Sequence, residues 1–71
     1  MRIAFIGGGN MTTSLVGGLV RRGTPGASLT VSDPAPAQVE RLVREFGVQG
    51  VADNREAVLE ADLVVLAVKP Q

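Results

Sequence analysis

An α/β fold built on a parallel sheet is predicted for this chain by three observations. Short apolar runs alternate with stretches whose apolar residues recur at helical spacing, the pattern of successive βαβ units. Three consecutive glycines, Gly7-Gly8-Gly9, separate the first run from the first helical stretch. The run Leu63-Val64-Val65-Leu66-Ala67-Val68 contains no polar residue, as expected of a parallel strand covered on both faces. With 71 residues the chain has room for one domain, and a chain near this size buries only about 60% of its unfolded surface.

Each element has its own justification. Ile3-Ala4-Phe5-Ile6 is the first strand, ended by the glycines. Met11, Leu15 and Leu19 then recur at i, i+4 and i+8 with Val16 and Val20 beside them, which makes an apolar helical stripe. Arg21 and Arg22 suit the negative end of that helix, and Gly23 suits the position after it. Gly17 and Gly18 inside the helix cost about 1 kcal/mol each relative to Ala, a cost that close approach of helix to sheet would offset. Thr24-Pro25-Gly26 is a turn and Leu29-Thr30-Val31 a second strand. Asp33-Pro34-Ala35-Pro36 opens a second helix, with Asp33 as its cap. Val39, Leu42, Val43 and Phe46 form that helix's apolar face, and Gly47 ends it. Val48 to Val51 leaves room for a brief third strand. Asp53 and Glu56 resemble a capping box for a short third helix carrying Ala57, Val58 and Ala61. Leu63 to Val68 is the fourth strand.

Composition excludes several classes of function. Hydrophobic residues make up 45% and charged residues 20%, a globular balance. Seven basic residues offset seven acidic ones, so no electrostatic grip on nucleic acid or on an anionic membrane is expected. The absence of His and Cys removes disulfides, imidazole chemistry, thiol nucleophiles and metal sites built on those ligands. No apolar run is long enough to span a bilayer, and the glycines interrupt the first one too early for a signal peptide. A cytoplasmic protein is the expectation.

The glycine turn carries the strongest functional signal. Gly7-Gly8-Gly9-Asn10-Met11-Thr12 lies directly between strand and helix, the context that a dinucleotide-binding G-x-G-x-x-G turn requires. The first glycine permits the tight turn, the second allows backbone to approach a pyrophosphate, and the helix supplies free N–H donors. Thr12 stands where Gly or Ala is usual, and its bulk is expected to loosen helix–strand packing. Rossmann-type sites also place an acidic residue at the end of the second strand, about 20 residues beyond the glycines, to hold ribose hydroxyls. Asp33 falls there. Its capping role ahead of Pro34 is compatible with that one.

Ile3-Ala4-Phe5-Ile6-Gly7-Gly8-Gly9-Asn10-Met11, Gly17-Gly18-Leu19, Val31-Ser32-Asp33-Pro34 and the closing Leu66-Ala67-Val68-Lys69-Pro70-Gln71 together resemble pyrroline-5-carboxylate reductase over essentially the whole chain. The resemblance is to the N-terminal part of that family only. It implies a partial Rossmann-like parallel sheet, βαβαβαβ in strand order 3-2-1-4 with helices on both faces, and a truncated NAD(P)-binding domain over residues 1–71. It further implies imine reduction by NAD(P)H in proline biosynthesis. The family's dinucleotide contacts map onto Gly7, Gly8, Gly9, Asn10 and Met11, onto Asp33, onto Asn54, and onto Ala67, Val68, Lys69 and Pro70. Asn54 equally suits the first turn of a helix, Lys69 a solvated strand terminus, and Pro70 a breaker.

NADP(H) is the cofactor the resemblance implies. NAD(H) remains possible because the Asp33 carboxylate repels a 2′-phosphate, with Arg55 the nearest candidate phosphate partner. No residue receives a catalytic role, and this chain alone is not expected to turn over. The fourth strand is expected at a sheet edge, where it can pair with a second copy. Two alternatives remain open: another oxidoreductase fragment related to β-hydroxyacid dehydrogenases, and a non-catalytic self-associating module.

Overall fold

The computed structural model describes residues 1–68. Strands β1 (Ile3–Ile6), β2 (Leu29–Ser32), β3 (Gln49–Val51) and β4 (Leu63–Leu66) form one sheet in the order β3-β2-β1-β4. All three pairings are parallel, with Ile3 opposite both Leu29 and Leu63. Helices α1 (Asn10–Arg21), α2 (Pro36–Phe46) and α3 (Asn54–Val58) connect the strands, and a single 3₁₀ turn over Gly26–Ser28 precedes β2.

Side chains alternate across the sheet, so the two faces carry separate cores. Phe5, Leu29 and Val31 meet Val16 of α1 and Leu42 of α2, with Val48 completing the cluster. Ala4 and Ile6 point the other way and meet Ala57 of α3. Helices therefore cover both faces, as the sequence predicts, but unequally. A five-residue helix serves one face and two long helices the other. Each large side chain buried in the first cluster contributes about 1.5–3 kcal/mol of hydrophobic stabilisation.

Four expectations are corrected. The buried line of α1 runs through Thr12, Val16 and Gly17, while Met11 and Leu15 are exposed; the smaller side chains face the sheet and leave the bulkier ones at the flank. Gly17 is matched to a helix rather than to the sheet, since a Cβ there would lie 3.4 Å from the Phe46 ring of α2, and a Cβ on Gly18 would meet nothing. Helix α2 begins at Pro36 with Ala35 as its N-cap, so Asp33 does not cap it. Finally, β4 is not covered on both faces: Leu63, Val64 and Leu66 are exposed, and Val65 alone among its residues packs on the first core. The strand is held to β1 at its start, where the Arg2 N–H donates to Asp62 Oδ2 at 2.8 Å and the Asp62 N–H returns to the Arg2 carbonyl at 2.8 Å. At its end the Ala67 N–H donates to the Ile6 carbonyl, also at 2.8 Å.

Candidate functional site

Because all four strands run parallel, their carboxyl ends share one rim, where α/β sheets bind ligands. A cleft of about 530 Å³ opens there. Its walls are Gly7, Gly9, Asn10 and Met11 of the turn, Asp33 and Pro34 after β2, Gln38 of α2, and Ala67 and Val68 after β4.

The turn itself is dictated by backbone geometry. Gly7 has φ +112°, and a Cβ there would lie 2.7 Å from the Ala67 carbonyl oxygen. Only glycine satisfies both constraints. Gly9 is the N-cap of α1, and a Cβ on it would meet nothing within 4 Å, so this part of the turn borders open space. No side chain caps α1. Among the described residues, the first-turn N–H groups of Asn10, Met11 and Thr12 therefore have neither an intrahelical nor a side-chain acceptor, and together with the positive end of the helix dipole they suit an anion. Thr12 does not loosen the packing. It is fully buried, and its hydroxyl donates to the Gly7 carbonyl, fastening the helix to the turn it follows.

Asp33 joins two loops. Its Oδ2 accepts the Gly8 N–H at 2.7 Å and its Oδ1 accepts the Ala35 N–H at 2.8 Å. One carboxylate thus fixes the glycine turn to the bend that leads into α2, and its remaining lone pairs are available at the cleft wall. Asn54 is the first residue of α3, as its helical reading foresaw; Asp53 caps that helix by accepting the Arg55 N–H at 2.8 Å. The Asn54 carboxamide oxygen accepts a hydrogen bond from the buried Ser32 hydroxyl. Asn54 is not among the walls of the cleft. The Arg55 side chain is 92% exposed, with its guanidinium 3.8 Å from Asp53, and it is not among the walls of the cleft.

The structure thus brings Gly7, Gly9, Asn10, Met11, Asp33, Ala67 and Val68 together around one cleft. Gly8 sits behind them, clasped by Asp33. Lys69 and Pro70 lie outside the described residues. Sequence reasoning missed Gln38, which a polar side chain early in α2 would have signalled, and Ser32, whose partner lies 22 positions away. Among the described residues, no helix is long and apolar enough to cross a membrane.

Comparison with known proteins gives concordant results. The family described as NADP oxidoreductase, coenzyme F420-dependent, matches residues 2–71. A pyrroline-5-carboxylate reductase of Pseudomonas aeruginosa is 53% identical over 70 residues, covering 99% of this chain and 26% of that protein. One from Vibrio alginolyticus is 47% identical over 70 residues, with the same coverage of 99% and 26%. The solved structure of a pyrroline-5-carboxylate reductase from Coxiella burnetii superposes with a TM-score of 0.94 at 40% identity, covering 97% of this chain and 26% of that one. The chain spans about a quarter of the length of the curated relatives it matches.

Proposed function

From the premise that the chain belongs to the NADP oxidoreductase, coenzyme F420-dependent family and matches the N-terminal NAD(P)-binding domain of pyrroline-5-carboxylate reductases, we propose that residues 1–71 are the dinucleotide-binding portion of such a reductase. The family supports a nicotinamide dinucleotide as the cofactor class. When bound, that cofactor supplies a hydride, here to a cyclic imine in proline biosynthesis. The identity to named reductases favours this reading over one centred on β-hydroxyacid dehydrogenases. The same reading makes the protein cytoplasmic and, through the free side of β4, self-associating.

The observation that carries the proposal is the uncapped start of α1 at the head of the cleft, next to the open side of Gly9. A pyrophosphate fits such a place because backbone N–H groups satisfy its oxygens without a basic side chain. In this reading Gly7 and Gly8 shape the turn, and Gly9, Asn10 and Met11 hold the phosphates. Asp33 and Asn54 face the adenosine ribose, and Ala67, Val68, Lys69 and Pro70 run along the nicotinamide side. The chain's own contribution is to bind and orient. No side chain at the rim is assigned a proton-transfer role.

NADP(H) is the preferred cofactor on resemblance, with NAD(H) accepted. Asp33 sets the margin, since a carboxylate accepts from ribose hydroxyls and repels a 2′-phosphate. Calorimetry with both cofactors on the wild type and on Asp33→Ser tests this. Serine replaces at most one of the two N–H acceptors, so absolute affinity for both cofactors falls. The ratio is expected to shift toward NADP(H) by about fivefold, equivalent to about 1 kcal/mol. An unchanged ratio would reduce Asp33 to a clasp between loops, and failure of the wild type to bind either cofactor would defeat the proposal.

A further inference from the structure

Ser32 is the last residue of β2 and is fully buried. Its carbonyl accepts the Gly7 N–H at 2.8 Å, which ties it to the glycine turn. Its hydroxyl donates to Asn54 Oδ1 at the start of α3. A serine hydroxyl has one proton, and here that proton goes to the carboxamide oxygen. An Asn whose oxygen is fixed on one side must present its NH₂ group, two donors, on the other. Asn54 as a whole is exposed. Asn54 opens α3 directly after β3, the strand next in the sheet to β2, and the loop that follows β2 carries Asp33, whose carboxylate offers lone pairs.

We propose that Ser32 is a positioning residue for the dinucleotide: its buried hydroxyl locks the Asn54 carboxamide with the oxygen inward and the NH₂ group outward, so that an acceptor at Asp33 and a donor at Asn54 flank the adenosine ribose. A ribose hydroxyl both donates and accepts, so one such pair reads the vicinal diol of an adenosine ribose that carries no 2′-phosphate. The inference rests on the proposed dinucleotide reading and extends it to a residue that does not line the cleft. A serine that only satisfied its own buried polar atom would leave ligand binding independent of Ser32.

The test is a double-mutant cycle on the full chain with NAD⁺ and with adenosine 5′-monophosphate, whose adenosine riboses both carry a free 2′,3′-diol, read by calorimetry and by ¹⁵N NMR. Ser32→Ala is expected to weaken both ligands about fivefold and Asn54→Ala about tenfold, with the double variant no weaker than Asn54→Ala alone, because residues acting through one contact are not additive. Additive losses, or wild-type affinity in Ser32→Ala, would overturn the inference. Should Ser32→Ala lose its fold, the wild type still decides. Its Asn54 side-chain NH₂ resonances must shift on titration with either ligand, and a titration that moves the Gly9 and Met11 amides but leaves Asn54 unmoved refutes the positioning role. If the Gly9 and Met11 amides stay unmoved as well, the dinucleotide reading itself fails, and this inference with it.

Discussion

Strands β1 and β4 lie side by side in parallel, Ile3 opposite Leu63 and Ile6 opposite Leu66, and both are wholly apolar. Ala4, Phe5 and Ile6 are nevertheless buried, whereas Leu63, Val64 and Leu66 are exposed, Leu66 by 71%. The difference lies in their neighbours. β1 has a strand on each side, with residues of α1 and α2 over one face and α3 over the other. Among the described residues β4 has a strand on one side only, and Val65 is its one side chain packed against the first core. An apolar run measures a strand's capacity to be buried; the elements around it decide how much of that capacity is used.

The contrast makes graded predictions. Phe5→Ala is expected to have the largest effect, because removing a fully buried ring from a well-filled core costs about 3–5 kcal/mol. For a domain this small, that loss should erase the cooperative transition in a circular dichroism melt. Gly7→Ala comes next. It forces a side chain into φ +112° and against the Ala67 carbonyl, at a cost of about 2–3 kcal/mol, and the melting temperature should fall by at least 10 °C. Leu66→Lys is expected to change stability by less than about 0.5 kcal/mol, as at other exposed positions. A drop comparable to that of Phe5→Ala would show β4 to be covered after all. The same substitution sharpens the comparison in sedimentation: wild type should self-associate at high micromolar concentration and Leu66→Lys should not, since a charge blocks edge pairing.

The fold was legible because its signals are local. The glycines, the helical spacing of Val39, Leu42 and Phe46, and the apolar strands each declare themselves within a few residues, and together they specify the element order, whereas the strand order came with the family resemblance. The turn residues of the site were legible for the same reason. What escaped was tertiary. Asp33 followed by Pro34 reads as a helix cap, yet its oxygens are taken by Gly8 and Ala35, and the first of these is 25 positions away. Thr12 reads as an oversized residue in the motif, but a hydroxyl that reaches the Gly7 carbonyl turns it into a fastener. The α1 stripe was drawn too wide: Val16, Leu19 and Val20 pack on the core as expected, but Met11 and Leu15 are exposed and Thr12 lies in the buried line instead. The edge position of β4 was expected, but which of its residues stay uncovered depends on the elements around it, which no residue within the strand can report.

The central position of β1 also governs the order in which the molecule can assemble. Its edge toward β2 closes once residue 32 is available, but the other edge must wait for β4, whose anchoring pair Arg2 and Asp62 stands 60 positions apart in the chain. Closing the longer loop costs only a few tenths of a kcal/mol to about 1 kcal/mol more in entropy, since that term grows slowly with length. Kinetics feel the separation more strongly, because distant pairings slow folding. A chain emerging from the ribosome would therefore hold a β3-β2-β1 intermediate in which β1 is an edge strand with one unpaired side, and the fourth strand would arrive as its latch. That interval, during which the most apolar strand of the core presents an open edge, is when the nascent chain has the greatest opportunity for pairing with the wrong partner.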